Sequence, residues 1–382
     1  MTTEVKVIIG SNAGDEGKGL ATDYFATMAY SSHKTCLVVL SNGGSQRGHT
    51  VEALGRKHVF KHFGSGTYVG AYTYIPRYYI VNPMNYAHEF YQLLGEGIEY
   101  HPTYINDQCL LSTPFDMIAN MLIEDARGNQ RHGSCGVGIW ETILRDGITV
   151  GEMAIKTFEE QVQYLEFVRD TYFVNRLSSK NITKYGDYES IIFDQNLILN
   201  YLNDFNFMIN NSIFTDDKIL QIYDCVIFEN GQGLLLDQNI EGYGKNTTPS
   251  NTGLQNPAEM ISQLPEDISV EVCYVSRTYM TRHGVGRFDT ECPDLRDKLQ
   301  PDQTNSWNHY QGNLRYGVLE WPDLEKRVVD DFKKYGKDDW KLSFFFTHTN
   351  ENDDLPWNQI ANYGLYTSSG KNMMSVKQWT IM

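Results

Sequence analysis

A glycine-rich stretch near the start of the chain, IIGSNAGDEGKGL at residues 8–20, combines residue types that handle phosphates. Its Gly17 and Lys18 match the end of the phosphate-binding pattern G-x-x-x-x-G-K-[ST], in which backbone N–H groups and the lysine hold phosphates and the final hydroxyl binds Mg²⁺. Gly19 stands where that hydroxyl belongs, and the loop contains two carboxylates, the first of them Asp15. The stretch therefore indicates phosphate chemistry that involves an acid within the loop itself.

Three further polar glycine loops carry groups with chemical potential. NGGSQRGHT at 42–50 contains His49, FENGQGLLLD at 228–237 contains Gln232, and TRHGVGRFDTE spans 281–291. Phosphoryl transfer relies mainly on positioning and on charge stabilisation, which an acid, a lysine and a histidine can provide together. These loops therefore predict a nucleotide site, provided that the fold brings them together.

The segments around these loops predict how they are positioned. Apolar strands at 4–10 and 35–44 end in glycine loops, and segments 114–128 and 157–177 have helical apolar spacing. Strands of this kind alternating with helices predict an α/β fold with a large central, mainly parallel β-sheet flanked by helices. Ligands of such sheets bind outside the carboxyl ends of the strands, so the loops are expected to converge. Because no repeat or Pro/Ser linker occurs, we predict one domain, 1–382, with a helical insertion around 115–215.

Composition narrows the class of partner. The 382 residues include 48 acidic and 32 basic ones, a formal net charge of −16, which argues against nucleic acid or an anionic membrane as the main partner. The six cysteines lack the spacing of a zinc site and are expected to be reduced. Neither a signal peptide nor an apolar run of membrane-spanning length is evident, so a soluble, cytoplasmic protein is expected.

Taken in order, the motifs resemble those of the adenylosuccinate synthetases. GDEGKG, GGSQRGHT, FENGQGLLLD, PSNTG and TRHGVGRFDTE follow the family's sequence of motifs, and GSCGVGIWE at 133–141 is similar to a further one. The resemblance implies the P-loop-NTPase-like fold of that family and a Mg²⁺-dependent C–N ligase. Such an enzyme phosphorylates the 6-oxygen of a purine nucleotide with a nucleoside triphosphate, and the amine of aspartate then displaces the phosphate.

Roles follow from the resemblance, motif by motif. Asp15 matches the base that removes the N1 proton and is also a Mg²⁺ ligand with the Gly48 carbonyl, which makes a hydroxyl at position 19 unnecessary. His49 matches the general acid, Gln232 the residue that meets the purine 6-position, and Lys18 a further catalytic group. The triphosphate is expected to contact Gly14, Glu16, Gly17, Lys18, Gly19, His49 and Thr50.

The acceptor and aspartate sites are likewise implied by resemblance. The purine nucleotide is expected to contact Asn12, Ala13, Gln46, Ser134, Cys135, Arg145, Gln232, Thr248, His283 and Gly284. Arg145 aligns with an arginine that a partner subunit inserts into the site, which implies a homodimer with shared sites. In the reduced aspartate loop, 305–321, Arg315 is expected to pair with a carboxylate of aspartate, with Asn305, Ser306 and Asn313 as substitutes for lost arginines.

The triphosphate base pocket departs from the family. Where the family reads guanine with T-K-L-D, the stretch FFFTHTNEND has His348 and Asn350. An amide both donates and accepts, which suits adenine N1 and N6, so ATP or dATP is predicted as the phosphoryl donor. LYTSSGKN at 365–372 resembles the family's base-wall loop and adds Ser369 and Gly370.

The acceptor pocket departs as well. A family tryptophan is replaced by Ala13 and a family alanine by Arg47, and the smaller residue leaves room for an extra exocyclic group. A divergent branch of the family, in phages whose DNA contains 2-aminoadenine, uses dGMP and ATP. We therefore expect dGMP as acceptor, with IMP as the alternative. A non-catalytic nucleotide-binding protein is a remote alternative, because Asp15, His49 and Gln232 are all present, and Gly19 argues against an ordinary P-loop NTPase.

Overall fold

A ten-stranded sheet forms the centre of the molecule. The computed structural model describes residues 3–53, 55–98, 101–244, 246–302, 304–305, 307–352 and 354–379. The strand order of the sheet is β10-β8-β6-β2-β11-β1-β12-β15-β16-β17, and every neighbouring pair is parallel except β16 with β17. This arrangement confirms the predicted fold class.

Within the described residues the strands are β1 (Thr3–Gly10), β2 (Cys36–Val39), β3 (Gly43–Gly44), β4 (His49–Ala53), β5 (Arg56–Phe60), β6 (Tyr72–Ile75), β7 (Tyr79–Val81), β8 (Thr103–Ile105), β9 (Leu110–Leu111), β10 (Ser212–Phe214), β11 (Cys225–Glu229), β12 (Ile268–Arg277), β13 (Met280–Arg282), β14 (Arg315–Gly317), β15 (Lys341–Thr347), β16 (Gly364–Ser368) and β17 (Val376–Trp379).

The α-helices of the same residues are α1 (Lys18–Ser31), α2 (Pro83–Gly95), α3 (Pro114–Arg127), α4 (Ile139–Leu144), α5 (Val150–Ala154), α6 (Phe158–Phe167), α7 (Val174–Ser178), α8 (Glu189–Ile192), α9 (Gln195–Asn210), α10 (Gln255–Ile261), α11 (Trp321–Tyr335) and α12 (Trp357–Ile360). Helices α3 to α9 therefore follow one another without a strand of the central sheet between them. Within the part of the chain that the structure describes, no helix is both long and apolar enough to cross a membrane.

The central strands have apolar side chains on both faces, as a doubly covered parallel sheet requires. In β1, Val5, Val7 and Ile9 pack into one hydrophobic cluster, whereas Ile8 packs into the cluster on the opposite face. Strand β1 lies between β11 and β12, so the loop that follows it emerges near the middle of the sheet. That position places the glycine-rich loop among those of its neighbours.

Local sequence explains where helix α3 begins. The Thr113 side chain accepts a hydrogen bond from the Asp116 backbone N–H, and the Asp116 carboxylate accepts one from the Thr113 N–H. Pro114 occupies the first turn, where its missing N–H would have no helical partner. The same Asp116 also receives a buried arginine, described below.

Candidate active site

Three of the polar loops meet because β2, β11 and β1 are neighbours in the sheet and parallel. The Asn42 amide oxygen accepts a hydrogen bond from the Gly231 N–H at 2.7 Å, and the Asn230 N–H donates to the Ile8 carbonyl at 3.0 Å. The loops containing Asp15, His49 and Gln232 are thus held at one edge, as the sequence predicts.

In the first loop, the Glu16 carboxylate occupies the position where backbone N–H groups converge. Its Oε1 accepts from the N–H groups of Asn12, at 3.1 Å, and Gly14, at 2.8 Å, and its Oε2 accepts from Lys18 Nζ at 2.6 Å. Both side chains of this ion pair are buried. The Lys18 ammonium is therefore paired with Glu16 in this structure. Phosphate contact by Lys18 or Glu16 stays a prediction that requires this pair to open.

The missing hydroxyl at position 19 has a packing reason. A Cβ on Gly19 would lie 2.9 Å from the Thr50 carbonyl oxygen and 3.1 Å from His49 Cβ. Helix α1 can therefore approach β4 this closely only with glycine at that position. Gly17 has a φ of 100°, and a Cβ added there would lie 2.8 Å from Thr347 Cγ2. Thr347 Oγ1 also donates to the Glu16 carbonyl, which ties the loop to the end of β15.

Asp15 is held through its backbone while its carboxylate is left accessible. Its φ is 63°, uncommon for a non-glycine residue, and its carbonyl accepts from Arg277 Nε at 2.6 Å. Arg277 in turn pairs with Asp302 at 2.8 Å. The one ion pair of the Asp15 carboxylate within the described residues is with His283 Nε2, at 3.3 Å. Asp15 is thus a positioned carboxylate with capacity for further ligands.

His49 belongs to a buried charged network. Its Nδ1 lies 2.6 Å from Glu229 Oε1 and 2.8 Å from Arg47 Nη2, and Arg47 Nη2 is 2.7 Å from Glu229 Oε2. Burial, reinforced by Arg47, lowers the pKa of His49 to about 4, against the opposing effect of Glu229. Burial alone would raise the pKa of Glu229, but Arg47 and His49 hold it well below its usual range. His49 is therefore neutral at pH 7, with Nδ1 directed to the carboxylate and Nε2 left for a ligand.

Two side-chain amides converge beside this network. A Cβ placed on Gly43 would lie 3.2 Å from Gln46 Nε2 and 3.3 Å from Gln232 Oε1. Both polar atoms of Gln46 are buried and lack a hydrogen-bond partner among the described residues. Gln232 has a φ of 58° and accepts weakly from Asn42 Nδ2, at 3.5 Å. Amides held in this way present both donors and acceptors to the edge of a base.

The loop that starts at Gly133 touches the fourth polar loop. A Cβ on Gly133 would lie 3.2 Å from the Gly284 Cα, so the two backbones are in contact. Ser134 Oγ donates to Asn120, and burial raises the pKa of the Cys135 thiol, which keeps it neutral. Ser134 and Cys135, two predicted contacts of the purine nucleotide, therefore lie close to Gly284, a third one. Thr248, also predicted as a contact, is half-buried, and its N–H donates to the Leu236 carbonyl.

Two predicted contacts of the purine nucleotide have other partners. The Asn12 side chain donates to Ser276 Oγ at 2.9 Å and accepts from Arg327 Nη2 at 2.6 Å, so it holds the loop together. Arg145 makes two hydrogen bonds to the Asp116 carboxylate, at 2.9 and 2.8 Å, and its side chain is 4% exposed. Insertion of Arg145 into the site of a second subunit stays a prediction, and it would require this buried ion pair to open, which is costly.

Ala13 does not face the amide pair. It lines a cavity together with Met280, Arg282 and Tyr243, and neither Gln46 nor Gln232 lines that cavity. The space left by the small residue is therefore not space beside the expected purine 6-position. That Ala13 makes room for an exocyclic group on the acceptor base stays a prediction, and the room that it leaves lies in this cavity.

Two of the residues that are predicted to contact aspartate, Arg315 and Asn305, are already hydrogen-bonded to other protein groups. Arg315 pairs with Glu291 through Nε, at 2.8 Å, and Nη2, and its Nη1 donates to the carbonyls of Gly284 and Gly286. Asn305 donates to Asp302 at 2.9 Å. Asn313 is exposed, and Ser306 lies outside the described residues. Binding of aspartate by Arg315 therefore requires a substrate carboxylate to share or replace Glu291.

The predicted base pocket lies at the ends of two adjacent strands. Strands β15 and β16 are paired in parallel, and the Thr349 N–H donates to the Ser368 carbonyl at 3.1 Å. His348, with a φ of 59°, lies directly after β15, and burial together with Arg277 lowers its pKa to about 3. Asn350, Ser369 and Gly370 are exposed on the same two loops, so the structure brings these four residues to one place.

The expected Mg²⁺ ligands suit a cation that is held mainly by substrate. No group of three or more His, Cys, Asp or Glu side chains that could hold a metal occurs in the described part of the chain. Mg²⁺ commonly takes only one or two carboxylates and completes its shell with phosphates and water. The accessible Asp15 carboxylate and the exposed Gly48 fit that ligand set.

Three residues that the sequence did not predict as part of the site each orient a residue that it did. They are Glu229, Arg277 and Asn42. Glu229 and Asn42 lie in motifs already singled out, and their position at a strand end was the available signal. Arg277 lies at the end of β12 and acts on Asp15 across 262 positions of sequence. Only the sheet order makes that contact visible.

Comparison with known proteins agrees with this arrangement of motifs. A family model described as adenylosuccinate synthetase matches residues 7–326. Adenylosuccinate synthetase of Clostridium botulinum is 30% identical over 326 residues, 82% of this chain and 69% of that protein. The Mesoplasma florum protein of the same name is 29% identical over 291 residues, 75% of this chain and 64% of its own length, so the match spans less than two thirds of that relative.

Two solved structures share the fold. The fully ligated adenylosuccinate synthetase of Plasmodium falciparum superposes with a TM-score of 0.69 at 18% identity, covering 98% of this chain and 100% of that one. The cyanophage S-2L succinoaminodeoxyadenylate synthetase, bound to dGMP and dATP, gives a TM-score of 0.65 at 15% identity, covering 99% and 96%. On the match of the family model and the shared order of motifs, the chain belongs to the adenylosuccinate synthetase family.

Proposed function

We propose that this protein is a ligase that joins the amine of L-aspartate to C6 of a purine nucleotide through a 6-phosphoryl intermediate. The best-supported substrates are dGMP as acceptor and ATP or dATP as donor, with 2-amino-deoxyadenylosuccinate as product. The observation that carries the proposal is the pair of amides, Gln46 and Gln232, whose Nε2 and Oε1 atoms would lie 3.2 and 3.3 Å from a Cβ on Gly43. They provide a hydrogen-bonding edge for a base where the phosphate loops meet.

In the first step, the Asp15 carboxylate takes the N1 proton of the purine while the 6-oxygen attacks the γ-phosphorus of the triphosphate. The bond from that phosphorus to the β,γ-bridging oxygen breaks, and the nucleoside diphosphate leaves with that oxygen and its electron pair. Asp15 suits this role because Arg277 fixes its backbone and leaves the carboxylate accessible. His49 Nε2 faces away from Glu229, and a neighbouring phosphate would favour its protonation and hence a hydrogen bond to the charge that develops.

In the second step, the aspartate amine attacks C6, and the 6-oxygen leaves as inorganic phosphate. Gln232 would hydrogen-bond the 6-substituent through both steps, and its amide near the Gly43 turn supports this role. Arg315 would orient a carboxylate of aspartate, with Asn305 and Asn313 nearby on the same segment. Mg²⁺, held by Asp15 and the Gly48 carbonyl, would neutralise charge on the triphosphate.

The donor is proposed from the residues at the ends of β15 and β16. Asn350 presents an amide, which can donate to adenine N1 and accept from N6, whereas a carboxylate would suit guanine N1–H and N2–H₂. A base that leaves such groups unpaired is disfavoured by orders of magnitude, roughly 10⁴-fold in favourable cases. ATP or dATP is therefore the proposed donor.

The acceptor is proposed from Gln46. Its amide oxygen is a buried acceptor without a partner among the described residues, and a 2-amino group on the purine would supply a donor. The cyanophage synthetase that is bound to dGMP and dATP shares its fold with nearly the whole of this chain, which supports the proposed substrate pair. IMP with GTP is the second candidate, because the Mesoplasma florum and Clostridium botulinum relatives are named adenylosuccinate synthetases.

The test is a matrix of phosphate-release and product assays. Purified protein is incubated with aspartate and Mg²⁺, with dGMP, GMP or IMP as acceptor and ATP, dATP or GTP as donor. The proposal predicts the highest kcat/KM for dGMP with ATP or dATP. IMP with GTP as the only productive pair would refute the specificity, and no turnover with any pair would refute the ligase.

The matched variant Gln46→Asn shortens the amide by one methylene and keeps its chemistry. It is expected to lower kcat/KM for dGMP more than for IMP, by about tenfold if the 2-amino group loses one hydrogen bond to a buried acceptor. An equal loss for both acceptors would show that Gln46 does not read the 2-position.

A further inference from the structure

A cavity of about 260 Å³ opens between the first loop, strand β13 and helix α11. Ala13, Leu235 and Met280 give it an apolar lining. Asp15, His49, Gln46 and Gln232 do not line it, so it is distinct from the site described above. An apolar cavity of about 150 Å³ is known to accommodate a benzene ring, so this one has room for a bicyclic ring.

The walls of the cavity favour a flat, aromatic occupant. Tyr243 and Phe288 contribute rings, and the guanidinium groups of Arg282 and Arg287 lie 5.8 and 5.5 Å from the Tyr243 ring centre. Ala13 leaves open a volume that a large side chain would fill. Rings packed against aromatic and guanidinium faces gain stabilisation beyond the burial of their area.

Arg282 lacks a counterion. It is 2% exposed, and its Nη2 donates to the Asn246 carbonyl at 2.8 Å, whereas its Nε and Nη1 have no hydrogen-bond partner among the described residues. No carboxylate of those residues forms an ion pair with it, and burial, with Arg315 nearby, lowers its pKa. A buried cation of this kind is costly unless an anion accompanies it.

The remaining charges of the cavity define the charge of the ligand. Arg327 donates to the Ser11 carbonyl and the Asn12 amide oxygen, and Arg287 pairs with Asp289. Two further lining carboxylates, Glu320 and Asp323, are exposed at the opening. Lys326, a further lining cation, is exposed and pairs with Asp330. The described lining residues thus comprise four cations and three carboxylates, and the one net positive charge is neutralised by a carboxylate and exceeded by a phosphate dianion.

We propose that this cavity binds a small aromatic or heteroaromatic carboxylate, with its ring against Tyr243 and Phe288 and its carboxylate on Arg282. The ligand would contact the segment just before Asp15. Ala13 forms a backbone β-bridge with Arg282, and Arg327 donates hydrogen bonds to Ser11 and Asn12, the two residues before Ala13. The site is independent of which purine nucleotide the ligase uses.

Calorimetric titration of the purified protein with indole-3-carboxylate tests the proposal. Indole-3-carboxamide is the matched neutral ligand, and AMP tests whether a nucleotide binds instead. We expect one saturable site for the carboxylate and roughly tenfold weaker binding of the carboxamide, because a hydrogen bond to a charged group is lost. Absence of carboxylate binding, equal affinity for the carboxamide, or tighter binding of AMP would overturn the assignment.

Two variants locate the site and a third serves as control. Ala13→Trp fills the cavity and should abolish binding, whereas Arg282→Met keeps the volume and should equalise the affinities for carboxylate and carboxamide. Arg169→Met removes an arginine that pairs with Asp170 elsewhere and should bind as the wild type does. Thermal unfolding establishes that each variant is folded, and Ala13→Leu replaces the tryptophan variant if that one is not. Undiminished binding by the folded cavity-filling variant would refute the site.

Discussion

Single residues in this protein have roles that their motif does not reveal. The Glu16 carboxylate accepts hydrogen bonds from loop N–H groups of the kind that bind phosphate in the loop pattern. Gly19 lacks a side chain because α1 and β4 lie too close together for one. Asp15 keeps an accessible carboxylate because Arg277 acts on its carbonyl instead. Of the two acids in the loop, Glu16 is thus bound by the loop itself, whereas Asp15 is accessible to ligands.

The proposed role of Asp15 as the base gives the first prediction. Asp15→Asn keeps the shape of the side chain but removes the base, so we expect kcat to fall by about 10²–10⁴-fold. KM for the donor is expected to change less. Steady-state kinetics with the productive substrate pair measures both, and turnover at the wild-type rate would eliminate Asp15 as the base.

A buried carboxyl predicts a pH dependence of stability. Both oxygens of Asp23 lack a hydrogen-bond partner among the described residues, and burial raises its pKa to about 7. Because the folded state favours the protonated form, the contribution is present below the unfolded pKa near 4 and is lost as the pH rises through about 7. Asp23→Asn should therefore stabilise the protein at pH 8, on the order of 1–4 kcal/mol, and flatten this dependence.

Denaturant unfolding at pH 5 and pH 8 checks this expectation. Asp187→Asn, at an exposed position, is the control and should change the free energy of unfolding little at either pH. A stabilisation by Asp23→Asn that is equal at both pH values would contradict the titration of Asp23.

At the scale of elements, helix α1 packs so closely against strand β4 that only glycine fits at position 19. Gly19→Ser restores the hydroxyl of the phosphate-binding pattern but places a Cβ 2.9 Å from the Thr50 carbonyl. We expect a loss of about 1–3 kcal/mol in the free energy of unfolding. Gly95→Ala at the end of α2, where nothing lies within 4 Å of an added Cβ, should be neutral or stabilising.

The proposed preference for an adenine donor rests on the paired ends of β15 and β16. Asn350→Asp replaces an amide that accepts and donates with a carboxylate that only accepts. We predict that kcat/KM falls for ATP and rises for GTP, reversing the preference by at least about tenfold. Asn362→Asp, an exposed residue after α12, is the control for added charge. An unchanged preference would place the base elsewhere.

At the scale of the whole molecule, an exposed apolar face on α4 supports self-association. Trp140 is 53% exposed, and Ile143 and Leu144 are also exposed. Since Arg145 is buried within its own chain, this face is the stronger reason to expect a homodimer. Trp140→Asp should yield a monomer by light scattering, whereas Trp379→Asp, at a comparably exposed tryptophan on β17, should not. A monomeric wild type would refute the homodimer.

The sequence by itself determined the fold class, because buried strands that alternate with helices have few stable arrangements. It also located Asp15, His49 and Gln232, since motif residues at the ends of parallel strands must meet at one edge. Only the tertiary structure decided the partners of these residues. Arg277 on Asp15, Glu229 on His49, Asp116 on Arg145 and the cavity at Ala13 all join segments that lie far apart in sequence. Such contacts depend on strand order and on packing at ångström distances, which local residue patterns do not encode.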